Sequence, residues 1–173
     1  MSFIRVVSAL AIILGGGYIG MLFAARLTGR AKQLEQLKLI ISRIGFNINF
    51  LKMPVAKALV QAVSGRCDAV GSVFDIAANE IVQEGLPPSA ALERAVLSSR
   101  NALCITDDDI DILMEFAKSL GLGDTQSEMN NIDAAQARLT LAQSIAEGER
   151  DQKAGLFRGM GLLGGMFVAL MLL

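Results

Sequence analysis

Five carboxylates crowd one short stretch of this chain: Asp107, Asp108, Asp109, Asp111 and Glu115. Acidic side chains at that density can ligate a divalent cation, move protons or dock a basic partner. A cation loop needs ligands converging around a turn, with a glycine to make it. Here the acids follow Thr106 at the start of a helical pattern, without that spacing and without the glycine. Aspartates in a first turn meet the positive end of the helix dipole, and Thr106 is a suitable cap. The expectation is therefore a capped helix start, with Asp107, Asp108, Asp109 and Asp111 as a docking surface for a basic partner. No metal site is expected.

The second candidate is Gly15-Gly16-Gly17-Tyr18-Ile19-Gly20, which matches the G-x-G-x-x-G of dinucleotide loops. That loop requires a strand before it, a helix after it and an acidic residue ending a second strand. Glu35 stands at about the right distance but lies inside a helical pattern, and no later segment supplies parallel strands. The glycines have a different use in an apolar helix. Gly16 and Gly20 form a small-xxx-small pair that lets another helix approach closely, and Gly161 and Gly165 form a second.

Other chemistry is absent from the sequence. The chain has no histidine, so the commonest general base and metal ligand is missing. Cys67 and Cys104 are far apart and read as buried small hydrophobes. There is no phosphate-binding G-x-x-x-x-G-K-[ST] loop and no nucleophile elbow. No catalytic residue and no cofactor is expected. Net charge is −1, and the mixed charge of the middle gives no basic stripe for nucleic acid.

The elements that hold these residues are helical throughout. Val6 to Ala25 carries no charge and has about the ~20 apolar residues needed to cross a bilayer. It is longer than a signal-peptide core, and no A-x-A site follows it. A second apolar run covers Gly159 to Leu173. The 173 residues have 53% hydrophobic content and a mean hydropathy of +0.48, and the two terminal runs account for much of both. Between them, Leu34, Leu37, Ile41, Ile44, Ile48 and Leu51 alternate three and four apart, on one helical face with Asn47 elsewhere on the wheel. Pro54 resets the chain, and short helices follow. They bury Val55, Leu59, Ala62 and Val63; then Val70, Val73, Phe74, Ala77 and Ile81; then Leu92, Ala95 and Val96. A further helix buries Ile110, Leu113, Phe116, Ala117 and Leu120, and Gly121 and Gly123 stop it. The last begins near Thr125 with a capping box to Glu128 and runs unbroken into the apolar tail, its inner stripe being Ile132, Ala135, Leu139, Ala142 and Ala146.

The expected fold is all-α: an antiparallel helical bundle between an N-terminal and a C-terminal transmembrane helix. The divisions fall at 1–26, 27–153 and 154–173. Arg26, Arg30 and Lys32 after the first run, and Arg150, Lys153 and Arg158 before the second, place the middle in the cytoplasm by the positive-inside rule.

Four segments stand in a definite order: Arg26-Leu27-Thr28-Gly29-Arg30 leading to Gln33-Leu34-Glu35-Gln36-Leu37; INFLKMPV from Ile48 to Val55; Leu120-Gly121-Leu122-Gly123-Asp124; and Gly159-Met160-Gly161-Leu162-Leu163-Gly164-Gly165. With these segments in that order, the layout resembles the stage III sporulation protein AB family over nearly the whole chain. The chain departs from the family at Asn47, Phe50, Leu156 and Phe157, where an acidic residue, a tyrosine, and a lysine and tyrosine are usual. The resemblance implies a membrane component of the channel between mother cell and forespore. Its helical domain would be similar to the platform protein F of type II secretion, would face the mother-cell cytoplasm and would dock a secretion-type ATPase. The implied partners are that ATPase, other channel components and the membrane, with self-association open; no enzyme activity is implied. Two alternatives remain: a membrane-tethered scaffold or signalling module unrelated to secretion, and a dinucleotide-dependent oxidoreductase, which would carry its cofactor's absorbance.

Overall fold

The computed structural model describes the backbone of residues 2–120 and 125–172. It describes the side chains of 14–120, 127, 129–153, 155, 156, 159, 160, 163, 164, 166 and 167. Among the described residues six α-helices follow one another: α1 (Ser2–Asn49), α2 (Val55–Val63), α3 (Ala69–Glu84), α4 (Pro88–Ser99), α5 (Asp107–Ser119) and α6 (Thr125–Leu172). A 3₁₀ turn at Arg100–Ala102 leads from α4 towards α5, and no strand occurs among the described residues. The glycine motif at 15–20 lies inside α1, so the strand–loop–helix geometry of a dinucleotide site is not formed there.

Local chemistry sets the short helices. Pro54 precedes α2 and has no N–H to leave unpaired at that position. Asp68 caps α3 by accepting from Gly71 N at 2.7 Å. Gly85 closes α3 in the left-handed conformation (φ 68°), which a glycine adopts without steric cost. Pro88 occupies the first turn of α4, where its fixed φ suits helix entry.

The chain forms two compact units. One is Lys32–Ser144, and the other combines Met1–Ala31 with Ile145–Leu173. In the first, Leu34, Leu37, Ile41 and Ile44 are buried as their spacing predicts, together with Ile40. Leu59, Phe74, Leu92, Leu113 and Leu139 of the same unit are likewise buried. Here α6 runs antiparallel to α1: Lys38 Nζ donates to Gln143 Oε1 at 3.1 Å, and further along Gly45 lies against Ile132.

Several expectations fail for tertiary reasons. Asn47 is buried, not outward, because its Nδ2 donates to the Ala58 carbonyl at 3.2 Å and ties α1 to α2. Leu51 lies beyond the end of α1 and is exposed, and Ile48 is only half-buried. In α5, Ile112 is buried and Ile110 is half-buried, which turns the inner face slightly from the expected one. Cys67 is exposed and Cys104 half-buried, and both are free thiols. Each stands in a connecting segment, where burial depends on the loop path and not on helical spacing. The glycines expected to stop α5, Gly121 and Gly123, lie outside the described residues.

In the second unit, α1 buries Gly20, Ala24 and Ala31, and α6 buries Ala146. Small residues at those positions allow close helix packing. Arg30 Nη1 donates to Glu149 Oε2 at 3.2 Å across the pair. Among the described residues no helix is long and apolar enough to cross a membrane. The side chains of 6–13 in the first apolar run, and of most of the second from 161 onward, lie outside the described residues.

Among the described glycines, Gly45 leaves the least room for a side chain. A Cβ there would stand 2.8 Å from Ile132 Cδ1 and 3.2 Å from its Cγ2. Gly45→Ala is therefore expected to destabilise the helical unit by about 1–3 kcal/mol, through overpacking. Ile132→Val in the same chain removes the nearest atom and should recover part of the loss, as read by denaturant unfolding of the two variants.

Candidate functional site

The acidic turn is built by the entry to α5. Thr106 Oγ1 accepts from Asp109 N at 3.4 Å, and Asp109 Oδ2 accepts from Thr106 N at 2.9 Å. This reciprocal capping box satisfies two backbone donors that the helix start leaves open. It also draws Asp109 inward, where it is 1% exposed. Asp109 thus stands apart from the proposed docking surface, although Thr106-x-x-Asp109 is the spacing that signals such a box. Asp107 points outward and pairs with Arg100 Nη2 at 2.7 Å, while Arg100 Nη1 also donates to the Ile105 carbonyl. Asp108 and Asp111 are exposed. The structure therefore separates the four aspartates into one cap, one ion-paired group and two open carboxylates. Among the described residues no group of acidic or sulfur side chains is arranged to hold a metal ion.

The membrane-packing candidates differ in place. Gly20 is buried and Gly16 half-buried, whereas Cβ atoms at Gly15 and Gly17 would meet open space. The surroundings of Gly161 and Gly165 lie outside the described residues.

A polar knot sits where the charged part of α6 begins in the second unit. Glu149 accepts from Lys153 Nζ at 2.8 Å, one helical turn on, and from Arg30 on α1. The Lys153 ammonium, by hydrogen bond and charge, holds the Glu149 carboxyl below its ordinary value, with Arg30 adding to the effect. The adjacent Arg150 guanidinium is pushed up by its bond to Asp151.

One feature escaped the sequence reading. At the end of α1 the rings of Phe46 and Phe50 stack, with centroids 5.3 Å apart, and both are exposed. They border an open groove of about 320 Å³ between α1 and α6, lined also by Gly45, Asn49, Met129 and Ile132. Asn49 Oδ1 is buried without a hydrogen-bond partner. The signal was the four-residue spacing of two phenylalanines on the outward side of the Leu34–Ile44 stripe.

These features define an all-helical protein whose described residues offer interaction surfaces. The chain belongs to the stage III sporulation protein AB family, whose family model matches residues 5–173. It is 20% identical to stage III sporulation protein AB of Bacillus subtilis (strain 168) over 170 residues, covering 98% of this chain and 99% of that one. A solved structure of stage III sporulation protein AB superposes with a TM-score of 0.67 at 19% identity, covering 72% of this chain and 98% of that chain. The latter shows the shared fold.

The capping box separates Asp109 from its neighbours by experiment as well. Asp109→Ala is expected to cost about 1 kcal/mol or somewhat more, since the Thr106 N–H loses its acceptor while the Thr106 cap on the Asp109 N–H remains. Asp108→Ala should fall within about 0.5 kcal/mol of the parent, as an exposed substitution does. Denaturant midpoints of the two variants check this.

Proposed function

We propose that this chain is a non-enzymatic, membrane-anchored platform component of the sporulation channel between mother cell and forespore. Its helical unit faces the mother-cell cytoplasm and docks a secretion-type ATPase. Family membership supports the sporulation role. The anchor rests on one observation above others: the unit formed by the two chain ends exposes large apolar side chains. Leu14, Tyr18 and Met21 on α1, and Leu156, Met160 and Phe167 on α6, are each more than half exposed. Apolar surface of that extent is unfavourable in water and normal against lipid. The uncharged run Val6–Ala25 has the length of a span, and Arg26 and Arg30 stand at its end, as cytoplasmic flanks do.

The docking role draws on the helical unit. Asp108 and Asp111 are open carboxylates on a rigid, capped helix, suited to a basic surface on the ATPase. The absence of histidine and of a phosphate-binding loop leaves nucleotide hydrolysis to the partner.

Affinity purification of the full-length protein from detergent-solubilised membranes of sporulating cells tests this reading. The ATPase and neighbouring channel proteins should be recovered together. Asp108→Lys with Asp111→Lys should lose the ATPase while keeping the membrane partners. Recovery of the bare chain, where a control membrane complex stays intact, would refute the platform role.

A further inference from the structure

In the unit formed by the chain ends, α1 and α6 each finish their charged part on a cation where the apolar run begins. On α1 no acidic side chain precedes Glu35, and Arg26 is the charge that borders the uncharged stretch Val6 to Ala25. On α6 the acidic Glu147, Glu149 and Asp151 all come before Lys153, and the only charge beyond Lys153 is Arg158. Two of these acids are occupied. Glu149 accepts from Arg30 and Lys153, and Asp151 accepts from Arg150 at 2.8 Å. Glu147 is half-buried and stands on the side of Glu149 away from the apolar run.

Arg30 and Glu149 meet close to where α1 leaves this unit and α6 enters it. The two segments form one compact unit, so from that pair they run side by side towards their apolar stretches. Arg26 lies four residues from Arg30, and Lys153 four from Glu149, each on the same helical face as its neighbour. The two cations therefore stand at one level, about 6 Å beyond the Arg30–Glu149 pair at the helical rise. Both are exposed. Arg26 meets no carboxylate among the described residues, and Lys153 spends one donor on Glu149 and has others to give. Past this level the side chains Leu22 and Phe23 on α1 and Leu156 on α6 are exposed.

We propose that Arg26 and Lys153 bind the phosphate of an anionic phospholipid whose acyl chains lie along Leu22, Phe23 and Leu156. The inference rests on the membrane anchor proposed above and adds a headgroup preference to it. The place of the cations selects this occupant. They have apolar surface on one side and the charged helices on the other, and a lipid phosphodiester sits at that same boundary between hydrocarbon and water. An acidic protein would leave the adjoining apolar side chains uncovered. The guanidinium of Arg26 offers forked donors to phosphate oxygens, and the Lys153 ammonium adds a point charge. A zwitterionic lipid brings the same phosphate with an ammonium of its own, which these cations repel, whereas phosphatidylglycerol brings none. Glu149 holds Lys153 from below and fixes where its charge stands.

The test uses the full-length protein in phosphatidylcholine vesicles containing a trace of spin-labelled phosphatidylglycerol or spin-labelled phosphatidylcholine. The motionally restricted part of each spectrum gives the relative affinity of the protein surface for the two lipids. Phosphatidylglycerol should be preferred about fivefold or more. Arg26→Gln, which breaks no bond in the structure, should lower that preference about fivefold, the gain one cation contributes at an anionic surface. Lys153→Gln should act in the same direction, with helix content checked by circular dichroism. Lys57→Gln removes the same charge from the other unit and should leave the preference unchanged. Equal restriction of the two lipids would overturn the proposal, as would a preference that survives Arg26→Gln. A preference lowered as much by Lys57→Gln would also overturn it, since net charge and not this pair would then be responsible. Absence of a restricted signal from either lipid would instead refute the membrane anchor, and the proposal with it.

Discussion

The closeness of two helices governs this fold. At Gly45 on α1 a side chain is absent, and Ile132 of α6 fills the place it would take. That contact lets the apolar stripe from Leu34 to Ile44 reach α6 on one side and the short helices on the other. The burial of Leu34, Leu37, Ile40, Ile41 and Ile44 at 1% exposure or less shows how fully that stripe is enclosed. Side chains of this size contribute on the order of 1.5–3 kcal/mol each when buried. The unit formed by the chain ends uses the same device with Gly20, Ala24 and Ala31. In both units small residues bring helix axes together, and larger ones fill what remains.

The proposed function draws on what the two units leave uncovered. The helical unit buries its long aliphatic residues and turns Asp108, Asp111, Arg43 and Glu93 outward. The other unit leaves Leu14, Tyr18, Met160 and Phe167 uncovered. The platform reading proposed above uses both surfaces, one towards partners and the other towards lipid. Membership of the stage III sporulation protein AB family supplies the setting for such a role.

Much of the fold was legible because it is locally encoded. Three-four spacing fixed the inner faces of α1, α3 and α4. Pro54 and Thr106 mark helix boundaries through backbone chemistry that needs no tertiary partner. The misses share a physical origin. Asn47 is polar on a wheel and buried only because α2 offers the Ala58 carbonyl. Cys67 lies in a connection whose path spacing does not reveal. The sequence marks the acidic stretch as a capped helix start, but spacing does not tell its members apart. Only coordinates separate Asp109, turned into its own capping box, from Asp108 on the surface. The stacked Phe46 and Phe50 escaped notice because exposed aromatics gain meaning only from the surface around them.

The claim on which the functional account depends is that the helical unit is held at the cytoplasmic side of a membrane. Cys67 provides a native reporter, since its thiol is exposed within that unit. The direct measurement is labelling of Cys67 with a membrane-impermeant maleimide in a Cys104→Ser background, comparing intact protoplasts with inside-out vesicles. The account predicts protection in protoplasts and labelling in vesicles, with the protein sedimenting with the membranes. Labelling on intact protoplasts, or recovery of the protein in the soluble fraction after lysis, would contradict it.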